Sequence, residues 1–225
     1  MRNILQSLFL LSPFSFNPAL RSLPPPCKAQ YKQVYLLLLL RSSVLLSPHM
    51  VFKLNYDFHI TTDIFQLRFE PGNAPHATIK RTPESATIYM PRGFQFEGAA
   101  SLEWANKVLA EALRNNAQVI LTQRLRAIAT AHGIEFNRLS IKDVSTRWGS
   151  CSSLRNVNLS LWLLLLPSHL IDYVICHELC HLKELNHSPA FWSELDKLCG
   201  GTGTAKRLDK ELSTLERTIM AQRIK

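Results

Sequence analysis

Three histidines and one glutamate in the C-terminal part of the chain are the residues best suited to chemistry. His177, Glu178 and His181 form the pattern HExxH in the run HELCH, and His187 follows. On an α-helix, side chains four positions apart differ by only about 40° in direction, so His177 and His181 can bind one metal ion. Glu178 would flank that ion and act through a metal-bound water. The pattern predicts a zinc hydrolase.

A third protein ligand must come from elsewhere, because catalytic zinc usually has three protein ligands and one position open to water or substrate. His187 is the nearest candidate, but in a continuous helix it would point about 240° away from His181. The helix must therefore end before His187. Asn186 can adopt the left-handed conformation that ends helices, and Ser188 followed by Pro189 is a typical start of a new helix.

The helix that carries HELCH is predicted to have two different faces. Ser168 follows Pro167 and is predicted to be its N-cap. An apolar stripe lies opposite the histidines. It comprises Ile171, Ile175, Leu179 and Leu182. This stripe would pack against the core while the histidines line a cleft.

Several motifs around HELCH resemble those of one family. They are residues 147–152 (RWGSCS), 158–161 (NLSL), 171–174 (IDYV) and 186–192 (NHSPAFW). Together they resemble the YgjP-like zinc metallopeptidases, which are distant relatives of the SprT-like and other zincin-fold peptidases. The resemblance is dense from about residue 145 to residue 192.

The resemblance implies a zincin-type fold, a zinc ion bound by His177, His181 and His187, and Glu178 as the general base. The chain departs from the family at Cys180, where a small residue such as alanine is usual. Its N-terminal half also lacks an arginine-rich opening, and this second departure concerns substrate recognition.

Two aromatic residues and two cysteines near the motif have alternative roles. Trp148 could line the cleft or fill the core. Tyr173 lies one turn before His177 on the same face and could contact substrate, although packing or support of the site is more usual for a buried tyrosine. Cys151 and Cys180 could act as a nucleophile and a metal ligand, respectively, but both are predicted to be packing residues.

The residues before the motif predict strands followed by a long helix. Residues 65–69 and 86–90 have the pattern of strands, and we expect a small antiparallel sheet. Residues 101–132 have a helical pattern, with Ser101 as a possible cap and Gly133 as the stop.

Further elements complete an α+β domain. Residues 139–141 and 157–163 predict two more strands around a turn at Gly149, and residues 189–198 predict a helix after the metal-binding one. Beyond Gly203 a solvated helix or loose tail is expected. The predicted fold is a single zincin-like metallopeptidase domain, with a small antiparallel sheet packed against helices and HExxH on the active-site helix.

Composition divides the chain near Met50. Residues 1–49 contain five basic residues and no acidic one. We interpret them as an extension outside the domain, upstream of a true start at Met50, and residues 50–225 as the metallopeptidase domain. The apolar stretch 34–46 is shorter than the roughly 20 residues that span a bilayer and contains Arg41, so no membrane association is expected.

Charge and cysteine content restrict the partner and the compartment. The chain has a net charge of +9, but five of its 26 basic residues lie before Met50, where no acidic residue occurs, so residues 50–225 carry about +4. A nucleic-acid surface would need basic residues clustered on one face, and no such run stands out. Five scattered cysteines suit a reducing compartment, so a cytoplasmic location is expected.

The leading hypothesis from the sequence is a zinc-dependent peptidase that acts on a peptide or protein substrate. Two alternatives remain open. The chain could be a nucleic-acid-associated protein, as the SprT-like relation suggests by analogy, or a protein with a structural zinc site and no catalysis.

Overall fold

The computed structural model describes residues 51–221, which form an α+β fold, as predicted. The strands are β1 His59–Thr61, β2 Gln66–Pro71, β3 Thr78–Thr82, β4 Ser85–Met90, β5 Arg138–Lys142, β6 Gly149–Cys151 and β7 Asn156–Ser160. The helices are α1 Gly98–Ala131, a 3-10 helix Leu161–Leu165, α2 Ser168–Cys180, α3 Pro189–Leu198 and α4 Thr204–Ala221. The interpretation of residues 1–49 concerns a segment outside the described residues.

The first sheet has the strand order β1-β2-β4-β3. The outer pairs are antiparallel, as expected, but the central pair β2–β4 is parallel, with Phe69 opposite Ile88. The prediction of a wholly antiparallel sheet was therefore wrong for this pair. The physical reason is burial: β3 is mostly exposed and suits an edge, whereas every second residue of β4 is buried and suits the centre.

The second sheet has the order β5-β7-β6 and lies beside helix α2. Gly149 was predicted to form a turn, but it begins the edge strand β6 and pairs with Leu159. The strand predicted to extend to residue 163 ends at Ser160, whose hydroxyl oxygen accepts a hydrogen bond from the Trp162 N–H at 3.3 Å and caps the 3-10 helix. Leu161–Leu165 is almost entirely buried and apolar, so its periodicity does not distinguish a strand from a helix.

Helix α1 extends over 34 residues and begins three residues before the predicted start. Its N-cap is Glu97 rather than Ser101, and Gly133, with φ 61°, follows its C-terminal end as predicted. The helix buries Leu109, Leu113 and Leu121 completely. It therefore lies along one side of the hydrophobic core, and α2 packs against it.

Helix α2 buries three residues of the predicted apolar stripe, since Ile171, Ile175 and Leu179 are fully inaccessible. The fourth, Leu182, lies beyond the end of the helix and is half-buried. Its N-terminus differs from the prediction, because Pro167 is the N-cap and Ser168 is the first helical residue. The Asp63 carboxylate accepts hydrogen bonds from the Ser168 N–H, at 2.8 Å, and from the Ser168 hydroxyl. A residue 105 positions earlier in the chain thus caps the helix that carries HELCH.

Two further contacts fix the orientation of α2. The Arg124 guanidinium of α1 donates two hydrogen bonds, of 2.8 and 2.7 Å, to the Asp172 carboxylate. The Tyr173 hydroxyl donates to the Asp209 carboxylate of α4 at 3.0 Å. Helix α2 is therefore tied to α1 on one side and to α4 on the other.

Helix α4 follows Gly203, where a solvated helix or loose tail was expected. It is a helix with one buried face, which includes Ala205, Leu208 and Leu212. The segment is thus part of the core.

Among residues 51–221, none of the helices combines the length and the apolar character that crossing a bilayer requires.

We predict that Asp63→Ala lowers the free energy of unfolding by about 1 kcal/mol at pH 7, the usual cost of losing a helix cap. The hydrogen bonds from Ser168 lower the pKa of Asp63 below its ordinary value of 3.8. A lowered folded-state pKa stabilises the fold above the unfolded pKa, and this contribution is lost as the pH falls through the folded pKa. The measurement is urea unfolding of the unmodified protein and of Asp63→Ala at pH 7 and near pH 2.5. The difference between their free energies of unfolding should be smaller at the acidic pH.

The matched control is Asp57→Ala, which removes an exposed carboxylate in the segment before β1. It should change stability by less than about 0.5 kcal/mol. An equal loss of unfolding free energy in Asp57→Ala and Asp63→Ala at pH 7 would contradict the assignment of Asp63 as the cap of α2.

Candidate active site

The three histidines predicted as metal ligands lie together. His177 is in the last turn of α2, His181 is its C-cap, and His187 lies in the loop before α3. One potential ligand atom from each residue lies within 4.8 Å of the other two. The Nε2 atoms of His177 and His187 are 3.1 Å apart. The chain therefore brings three imidazoles to one point.

Helix α2 ends before His187, but the backbone conformation that ends it differs from the prediction. Helix α2 ends at Cys180, and the last turn tightens because the Lys183 N–H bonds to the Cys180 carbonyl at 3.0 Å. Asn186 is not left-handed, since Arg155 is the one non-glycine residue with positive φ in the described part of the chain. The helix thus ends before His187, as required, but through a tightened final turn.

The start of α3 follows the prediction closely. Ser188 is the N-cap, and its hydroxyl oxygen accepts a hydrogen bond from the Phe191 N–H at 3.3 Å. Pro189 is the first helical residue, where its fixed φ favours a helix and its missing N–H costs nothing. This cap fixes the direction in which the chain leaves His187.

His177 and His181 are in the protonation state that metal binding requires. The Nδ1 atom of His181 lies 3.1 Å from the Glu184 carbonyl oxygen. Because a carbonyl can only accept, Nδ1 carries the proton and Nε2 has a free lone pair. Burial, together with His181 and His187, lowers the pKa of His177 to about 4, and burial also lowers the pKa of His181. Both imidazoles are therefore neutral at pH 7.

Phe191 forms an apolar floor beneath the three histidines. Its ring centroid lies 5.0 Å from that of His177, 4.7 Å from that of His181 and 4.6 Å from that of His187. The side chain is fully buried. Sequence reasoning did not assign Phe191 to the site, and the signal that could have found it is its place in the first turn of the helix that follows His187.

The donor set fits a zinc ion. Tetrahedral zinc with Zn–N bonds of about 2.0–2.1 Å separates its ligand nitrogens by roughly 3.4 Å. The separation of the His177 and His187 Nε2 atoms, 3.1 Å, is close to that value, and all three ligand atoms lie within 4.8 Å of one another. Imidazole nitrogen is also a ligand type that zinc prefers. His177, His181 and His187 could therefore hold one zinc ion and leave a position open.

Glu178 is a buried carboxylate on the same helix, with 6% of its surface exposed. Burial raises its pKa to about 7, while the Arg147 guanidinium acts in the opposite direction. Its side chain packs against the backbone of Gly149 in strand β6. A carboxyl group with a pKa near neutrality can both accept and release a proton at the pH of the cell.

The two aromatic residues that had alternative roles both pack. The Tyr173 ring lies 6.2 Å from that of His177, and its hydroxyl is engaged by Asp209 of α4. Burial raises the pKa of Tyr173 further, so the hydroxyl keeps its proton. The Trp148 ring packs against the core, and its Nε1 atom is buried with no hydrogen-bond partner in the described part of the chain.

Cys180 and Cys151 are placed as packing residues. Cys180 is fully buried, and its thiol donates a weak hydrogen bond to the Phe191 carbonyl at 3.5 Å. Burial raises the pKa of Cys180 to about 12 and also raises that of Cys151. Both thiols are therefore protonated at neutral pH, which does not suit a nucleophile. Among the described residues, neither thiol belongs to the group of side chains close enough to share one metal ion.

A separate open cavity of about 520 Å³ lies between the end of α1 and the segment before β5. Arg126, Phe136, Asn137 and Arg155 are among its lining residues. It includes none of the histidines and lacks Glu178. The histidine cluster, rather than this cavity, therefore holds the residues suited to chemistry.

Comparison with solved structures gives two archaeal metallopeptidase zymogens. The Pyrococcus abyssi zymogen, abylysin, is 24% identical, and the match covers 42% of this chain and 93% of that chain with a TM-score of 0.38. The Methanocaldococcus jannaschii zymogen, jannalysin, is 21% identical, with 42% and 94% covered and a TM-score of 0.37. No curated protein matches the chain.

Comparison with protein families gives a match that contains the whole site. The model of the YgjP-like metallopeptidase domain matches residues 62–212, which is more than half of the chain. The matched range includes strands β2 to β7, helices α1 to α3 and the three histidines. The chain therefore belongs to the YgjP-like metallopeptidase family.

Proposed function

We propose that the chain is a zinc-dependent peptidase, with a zincin-like domain over residues 50–225. The observation that carries the proposal is the convergence of three imidazoles, with the buried carboxylate of Glu178 on the same helix as His177. His177, His181 and His187 would hold the zinc, and Glu178 would be the general base. Membership of a metallopeptidase family supports this assignment.

The proposed reaction divides the work between the metal and Glu178. A bound zinc ion supplies Lewis acidity and lowers the pKa of a water molecule to about 7. The Glu178 carboxylate accepts a proton from the attacking water and then donates it to the leaving amine nitrogen. Burial raises the pKa of this carboxyl to about 7.

The number of ligands supports a catalytic metal over a structural one. Structural zinc sites usually have four protein ligands, whereas catalytic sites have three. Within residues 51–221, the group of side chains able to hold one ion consists of His177, His181 and His187. A fourth position would then be open to water and substrate.

The second sheet supports a peptide or protein substrate. Strand β6 lies at the edge of this sheet and contacts α2, the helix that carries Glu178. An extended peptide can add to such an edge through backbone hydrogen bonds. A substrate bound there would lie beside the Glu178 carboxylate, which packs against Gly149 of the same strand.

We also propose a cytoplasmic location. Four cysteines are described, at positions 151, 176, 180 and 199, and all four are free thiols. Free thiols persist in the reducing cytoplasm and are oxidised more readily outside it.

We predict that Glu178→Gln lowers kcat by about 100- to 10,000-fold, the usual contribution of a general base. The zinc content should not change, because glutamine leaves the three imidazoles in place. The measurements are hydrolysis of a fluorogenic peptide library and zinc by atomic emission. The control is Glu103→Gln on the exposed face of α1, which should keep full activity. Full activity of Glu178→Gln would rule out Glu178 as the base.

We predict that His187→Ala abolishes stoichiometric zinc binding, because two imidazoles remain where catalytic zinc needs three protein ligands. The affinity should fall by more than the roughly 10- to 100-fold typical of losing a residue that only orients a ligand. Titration with a fluorescent zinc chelator measures the change. His76→Ala, which removes an exposed histidine in the loop after β2, is the control and should bind zinc like the unmodified protein. Equal zinc affinity in both variants would mean that another residue is the third ligand.

A further inference from the structure

Gly149 approaches Glu178 more closely than any residue with a side chain could. A Cβ atom at position 149 would lie 2.6 Å from the Cγ and Oε1 atoms of Glu178 and 2.8 Å from its Cδ atom. Favourable contacts between such atoms are about 3.5–4.0 Å long. The Glu178 carboxylate therefore occupies the space that a side chain at position 149 would need.

The backbone of Gly149 does not itself require glycine. Its φ is outside the left-handed region, and it is the first residue of strand β6. Alanine is compatible with this conformation. The reason for a glycine here is thus the contact with Glu178.

The strand at Gly149 is held in place from the opposite side. Gly149 pairs with Leu159 of β7, and the Ser160 N–H bonds to the Trp148 carbonyl at 2.8 Å. A Cβ at position 149 would therefore displace the flexible end of the Glu178 side chain rather than the strand. Restoring a normal contact moves the carboxylate by roughly 1 Å.

We propose that Gly149 is a positioning residue: the absence of a side chain there lets the Glu178 carboxylate rest against strand β6. The inference rests on the proposed function, because it assigns Glu178 as the general base. A displacement of about 1 Å in a reacting group can cost about 100-fold in rate. Gly149 would thus affect kcat through the position of Glu178, without contacting the substrate.

The test is Gly149→Ala in two backgrounds, the unmodified protein and Glu178→Ala. Kinetics with a fluorogenic peptide, zinc content and thermal unfolding are measured on the full chain. In the unmodified background we expect kcat to fall about 100-fold, with KM changed by less than about twofold and zinc content unchanged. The Tm should fall by about 2–10 °C, as expected for overpacking a domain of this size.

In the Glu178→Ala background the same substitution should leave the Tm unchanged or raise it, because the atoms that it would meet are gone. An equal fall in Tm in both backgrounds, or a Gly149→Ala protein with unchanged kcat, would overturn the proposal. If the unmodified protein hydrolyses no peptide, the proposed function fails. The Tm comparison then still decides whether Gly149 makes the space for Glu178.

Discussion

The burial of helix α2 determines the position and the electrostatic surroundings of His177 and Glu178. One face of this helix packs fully into the core, so the polar residues of its last turn lie at the edge of the protein interior. Contacts from α1, from α4 and from the segment after β1 fix the helix in that place. Desolvation there keeps His177 neutral and brings the pKa of Glu178 to about 7. The chemistry proposed for the site therefore follows from packing.

The features that could be predicted from the sequence are local. The spacing of His177 and His181 sets their shared direction on a helix, and Ser188 followed by Pro189 predicts the start of α3 correctly. The buried stripe of α2 follows from its period of about 3.6 residues. Each of these inferences needs residues only a few positions apart.

The features that could not be predicted are contacts between distant parts of the chain. The parallel pairing of β2 with β4 depends on where the polar strand β3 lies, and periodicity does not contain that information. Asp63 caps a helix 105 residues away. Gly149 is predicted to form a turn because its contact with Glu178, which joins a strand to a helix, is not visible in the sequence. Phe191 was missed for the same reason: its role under the imidazoles requires α2 and α3 to be packed together.

We propose that three imidazoles, and no thiolate, hold one zinc ion. X-ray absorption spectroscopy of the zinc-loaded protein tests it most directly, because Zn–N and Zn–S distances differ by about 0.2–0.3 Å. We expect three nitrogen ligands of imidazole type at about 2.0–2.1 Å and no sulfur. A sulfur ligand at about 2.3 Å would contradict it and would make Cys180 or Cys151 part of the metal site.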